Sequence, residues 1–138
     1  MYQKIMISGN LGGDPDLRYT PNGTPVTRFS VATNEKWSDK DGELQERTTW
    51  WRVSVWGKQA ETISQNLRKG SPVFVEGRID PDPETGGPKV WTDRSGQARA
   101  SFEIIARRVK FTGQRGSSAV SFEPRDEDIP PEAGISGF

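Results

Sequence analysis

A chain of 138 residues with 31% hydrophobic side chains, 15 Gly and 10 Pro has room for one domain with a core, not two, and some of its length stays unpacked. It contains no cysteine and no histidine, which excludes disulfides, thiolate zinc sites, Ser-His-Asp triads and cysteine nucleophiles, so no enzyme, metal or cofactor is expected. The 19 basic and 19 acidic residues cancel, yet residues 116–138 hold one Arg and five acids, leaving 18 basic and 14 acidic residues in 1–115. That asymmetry suggests a mildly basic binding domain with an acidic tail. No apolar run of about 18 residues is present to span a membrane. The opening MYQKIMISGN lacks an export signal, so a cytoplasmic setting is expected.

Along the chain, KIMIS (4–8) reads as a short apolar strand, and YTPNGTP (19–25) is dense in turn residues. PVTRFSVAT alternates and is β-branched, so 25–36 is expected to pair with 46–56 across the polar turn SDKDGE (38–43), forming a hairpin with a mobile tip. GKQAETISQNLRKG (57–70) is the one helical stretch: Ala60, Ile63 and Leu67 share a face and Gly70 supplies the stop. SPVFVEGRI (71–79) and ASFEIIARRVKF (100–111) are strands around an acidic, Gly/Pro-rich excursion. The carboxylates Asp80, Asp82 and Glu84 in that excursion are expected to lack the burial that would tune them for catalysis. Three strands, one helix and two strands is the order of an all-β, five-stranded OB-fold (oligonucleotide/oligosaccharide-binding) barrel with its helix between strands 3 and 4. From residue 113 the sequence is polar and aperiodic, expected to be a disordered linker and acidic tail after a domain spanning 1–112.

The segment TTWWRVSVW (48–56) holds three of the five tryptophans. Strand alternation places Trp50, Arg52, Ser54 and Trp56 on one face and Trp51, Val53 and Val55 on the other. The second face suits a barrel interior or a subunit contact. The first suits a surface for flat, negatively charged partners: two indoles about 20 Å apart on a strand would serve different bases, each stack contributing about 1–3 kcal/mol whatever the base. Arg52 between them would meet phosphate. The competing reading is that Trp50 and Trp56 cover a loop or an oligomer contact. Trp37 and Trp91 stand in polar surroundings with too few apolar neighbours to bury an indole, which suggests a ligand platform or a subunit contact. An OB module for structured RNA, sugar or protein is the rival class, and a pure assembly adaptor acting through its tail is another.

GNLGGDPDLRYTPNGTPV (9–26), FSVAT (29–33), TTWWRVSVWGKQAE (48–61), LRKGSPVFVEGRI (67–79) and WTDRSGQ (91–97) together resemble the bacterial single-stranded DNA-binding proteins, in that family's order. The resemblance implies an OB fold, assembly as a homotetramer, and single-stranded DNA binding in replication, recombination and repair without cofactor or sequence preference. It implies base stacking by Trp37, Trp50, Trp56 and Trp91, the position of Trp56 being commonly phenylalanine in the family. Lys4, Arg52, Lys58, Arg68 and Lys69 would contact the DNA backbone, Arg68 and Lys69 also serving as charges at the helix C-terminus. Trp51 would lie at a subunit contact. The tail residues Asp126, Glu127, Asp128, Ile129, Pro130 and Phe138 resemble the family's docking peptide for replication and repair proteins. The chain departs from the family by ending IPPEAGISGF, which moves the acids away from Phe138, and by what looks like an insertion at 80–88, expected to be a solvated acidic tip.

Overall fold

The alternating, β-branched segments form the longest pairing of the computed structural model, which describes residues 2–113 and the backbone of 120–122. Strands β3 (Pro25–Ser38) and β4 (Leu44–Trp56) run antiparallel in continuous register, from Val26 opposite Trp56 to Ser38 opposite Leu44. The turn joining them is tied rather than loose. The Asp39 carboxylate accepts hydrogen bonds from the Asp41 and Glu43 amides at 2.9 Å, and Gln45 Nε2 donates to its other oxygen at 3.1 Å. These bonds, the Glu43 amide first, hold the Asp39 carboxyl below its usual pKa.

Strand β1 (Ile5–Leu11) pairs with β5 (Pro72–Ile79), β5 with β7 (Ala98–Phe111), and β7 runs parallel to β4. Closure comes where Asn10 and Leu11 of β1 meet Ala32 and Val31 of β3, which completes a five-stranded barrel. Gly9 allows that approach: a Cβ on it would lie 2.1 Å from the Ala32 carbonyl oxygen. The order of barrel strands is the expected one, with α1 (Lys58–Asn66) between the third and fourth. Two short strands within residues 1–112 were not foreseen: β2 (Asp16–Tyr19), which pairs with β3, and β6 (Lys89–Thr92), which pairs with β7. Tyr19 ties β2 to the helix by donating from its hydroxyl to Glu61 at 3.1 Å.

The interior is built from the inward faces. Val31, Val53, Val55, Val75, Ile104 and Val109 are all at most 1% exposed, and one end is plugged by Ala60, Ile63 and Leu67 of the helical segment. Val53 and Val55 therefore point where strand alternation put them. The helix is shorter than 57–70. It ends at Asn66, with Leu67 extended as its cap, because Leu67 is pulled into the core. Gly70 serves a following turn instead, at φ 89°, where the Ser71 amide bonds the Arg68 carbonyl and Ser71 Oγ accepts from the Arg68 amide. Arg68 and Lys69 thus follow the helix rather than closing its last turn.

Within the stretch expected to be linker, Val120–Phe122 form β8, antiparallel to Val109–Phe111 of β7. The docking-peptide candidates Asp126, Glu127, Asp128, Ile129, Pro130 and Phe138 lie outside the described residues.

Candidate nucleic-acid interface

Trp50 stands on the outer face of β4, opposite Ala32, with 53% of its surface open. A small neighbour makes room for it: a Cβ on Gly12 would lie 2.4 Å from the Trp50 Cζ3 atom, so any side chain there pushes the ring. Two residues along the same face is Arg52, half-buried, with its guanidinium carbon 5.4 Å from the centroid of the Trp91 ring. At that distance the cation is attracted to the indole π-face. Trp91, 41% exposed, reaches from β6 and is fixed by donating from Nε1 to Ser101 Oγ on β7 at 2.9 Å. Trp50, Arg52 and Trp91 line one open cleft of about 570 Å³, with Ser30, Thr48 and Phe102 among its other walls. Two exposed indoles and one guanidinium in a shared trough can receive stacked bases and a phosphate.

Trp56 does not belong to this surface. It is 6% exposed, packed with Val26, its register partner, and Ile105 in a small core of its own on the outer side of β4. Its parity with Trp50 is as expected, but the outer face of β4 is open only in its first half. From Ser54, also 6% exposed, it is covered. The expected stacking role of Trp56 is therefore corrected to a packing role. The buried Trp56 Nε1 finds no hydrogen-bond partner among the described residues.

Trp37 is 41% exposed but sits farther out on the β3–β4 ribbon, five residues from Ala32, about 17 Å along the strand. Arg47 lies over its ring at 4.9 Å and is itself paired with Glu35. Trp51 turns inward: it packs partly against the main core, donates from Nε1 to Thr33 Oγ1 at 2.9 Å, and meets Phe102 at 5.2 Å between ring centroids. Phe102, 60% exposed and lining the cleft, is the aromatic that sequence reasoning missed. In ASFEIIARRVKF it looks like one more strand hydrophobe, and only its register beside Trp51 marks it out.

The cations are dispersed. Lys4 is bound to Glu76 at 2.8 Å on a different face, beside Tyr2 and Arg78. That hydrogen bond raises the Lys4 pKa and lowers that of Glu76. Lys58, at the first turn of α1, and Arg68 and Lys69, after its end, are exposed, and none of the three lines the cleft. Arg28, not foreseen, lies half-buried beside Arg52, with Ser30, Ser54 and Glu103 around it. Burial lowers its pKa, while the Glu103 carboxylate opposes that shift.

The turn after Trp91 is organised by Asp93. Its carboxylate accepts from Ser95 Oγ at 2.6 Å, from Arg99 Nε at 2.9 Å and from the Ser95 and Gln97 amides at 2.9 Å, which lowers its pKa from 3.8 to about 2. A carboxylate depressed in the folded state contributes order above its unfolded pKa and loses it as pH falls through the folded one. The turn 93–97 is thus expected to stay ordered at pH 4 and to loosen as pH approaches 2. Hydrogen exchange at the Gln97 amide reads this directly, and an amide still protected with Asp93 protonated contradicts it.

Three comparisons bear on this arrangement. The Single-strand binding protein family matches residues 2–112. "Single-stranded DNA-binding protein 1" of Xylella fastidiosa (strain 9a5c) is 41% identical over 129 residues, covering 93% of this chain and 90% of that protein. Among solved structures, "Plasmodium falciparum SSB complex with ssDNA" matches at TM-score 0.61 and 34% identity, over 76% of this chain and 86% of that one. The small single-stranded DNA-binding protein from Streptomyces coelicolor matches at TM-score 0.61 and 31% identity, over 80% and 95%. A barrel of this topology, with open indoles beside a cation and a family match across nearly all its described length, places the chain in the Single-strand binding protein family.

Proposed function

We propose that the chain binds and protects single-stranded DNA without sequence preference during replication, recombination and repair. The observation that carries this reading is the cleft in which Trp50 and Trp91 stand open, with Arg52, on the same strand as Trp50, over the Trp91 ring. Each indole offers a π-face that any base satisfies, contributing about 1–3 kcal/mol. Arg52 supplies the charge for a phosphate, and Trp37 with Arg47 extends the track outward along the ribbon. The names of the relatives agree with this reading.

The finer assignments rest on the family likeness and on exposure. The chain acts in the cytoplasm and assembles with its own copies as a homotetramer, Trp51 meeting another subunit. Lys4, Lys58, Arg68 and Lys69, with Arg52, contact the DNA backbone. The acids Asp126, Glu127 and Asp128, with Ile129, Pro130 and Phe138, recruit replication and repair proteins. Among the described residues no helix is long and apolar enough to cross a membrane.

Competition tests the reading. Unlabelled mixed-sequence single strands should displace labelled oligo-dT as well as oligo-dT does, equal-length duplex should not, and affinity should fall with salt, on a modest slope because few cations are available. Displacement by duplex, or strong preference for one sequence, would favour another OB-type ligand.

A further inference from the structure

The segment at 80–88 is solvated at its tip, where residues 83–86 are exposed, but it is tied down at its base. Its base is joined by a largely buried ion pair: Lys89 Nζ lies 2.8 Å from Asp80 Oδ2 and 3.9 Å from Glu103 Oε1, with Asp80 6%, Lys89 8% and Glu103 9% exposed. The Asp80 amide adds a bond to the Glu103 carbonyl at 2.9 Å. The segment between is tied to itself, the Asp82 carboxylate accepting from the Glu84 and Thr85 amides and the Asp82 carbonyl from the Gly86 amide.

We infer that Lys89 is a positioning residue for the DNA cleft: the buried Asp80–Lys89–Glu103 cluster clamps the base of this hairpin so that Trp91 is presented to Arg52. Lys89 and Trp91 are two residues apart on one strand and so share a face of β6. Lys89 is held opposite Ser101, the residue whose hydroxyl holds the Trp91 indole. Glu103, the second carboxylate on Lys89, is the register partner of Arg52 across β4 and β7. Lys89 is thus paired in register with the residue that holds the Trp91 indole, and its second carboxylate is paired in register with Arg52. A buried ion pair is a poor source of net stability, because desolvation offsets its attraction, but its loss leaves charges stranded and its geometry is specific. What the cluster contributes is register: ten residues of Pro/Gly-rich chain (80–89) would otherwise leave the platform on β6 free to shift.

The inference rests on the single-strand reading, and a double-mutant cycle in the full chain tests it. Lys89→Met should weaken oligo-dT binding roughly tenfold, a loss of the size expected for one displaced stacking partner. In a Trp91→Ala background the same change should bring less than about a twofold further loss, since the residue it positions is gone. Should Lys89→Met fail to fold, the neutral pair Asp80→Asn with Lys89→Gln serves the same cycle, because it removes opposite charges together. Equal losses in the two backgrounds, or no loss in the first, overturn the inference while oligo-dT binding by the unmodified chain stands. An unmodified chain that does not bind oligo-dT ends the single-strand reading and the inference with it.

Discussion

Trp56→Ala is expected to destabilise the domain by about 3–5 kcal/mol, the range for truncating a buried aromatic, and to leave the oligo-dT affinity of the folded fraction within about threefold. The indole is 6% exposed between Val26 and Ile105, and removing it opens a cavity where β3, β4 and β7 meet. Against the total of about 5–15 kcal/mol typical of a domain, this is a large fraction, and urea midpoints read it directly. Trp56→Phe should cost far less, under about 1.5 kcal/mol, because phenylalanine keeps most of the apolar volume and removes an N–H that has no partner among the described residues. A Trp56→Ala protein that melts normally and binds oligo-dT weakly would return Trp56 to the DNA surface.

Trp50→Ala should behave in the opposite way. The side chain is half open, opposite the small Ala32 and above Gly12, so its removal leaves a shallower surface, not an internal void. Stability should change by less than about 1 kcal/mol, while oligo-dT affinity should fall by about 1–3 kcal/mol, roughly 5- to 150-fold. Gly12 offers a gentler version of the same experiment. A methyl group there meets the far edge of the Trp50 ring, a side chain that can swing, so the barrel should survive with its platform tilted. A Trp50→Ala protein with unchanged affinity would show that bases do not stack on β4.

These two tryptophans also mark how far the sequence could be read. Alternation put Trp50 and Trp56 on one face correctly, and the inward set Val53 and Val55 likewise. The covering of that face past Ser54 was not legible, because it depends on Val26 and Ile105, which are 30 and 49 residues away in the chain. The order of barrel strands and the position of the helix were legible from periodicity and turn residues. The helix end was not, since Leu67 leaves the helix for the core before the glycine that looked like its stop. Phe102 and Arg28 were invisible for the same kind of reason: only strand register sets Phe102 beside Trp51 in the cleft, and Arg28 opposite Ser54 in the adjoining pocket that Arg52 also lines. The Asp80–Lys89 pair likewise looked like ordinary loop charge, because nothing local announces that both ends of a Pro/Gly-rich segment fold back into a largely buried site.

Stacking of nucleobases on the open indoles of this cleft can be read from intrinsic tryptophan fluorescence titrated with oligo-dT. Deep quenching is expected, one that saturates, that mixed-sequence single strands reproduce, and that weakens as salt rises. Emission unchanged by oligo-dT, or quenched more strongly by duplex of the same length, would contradict it.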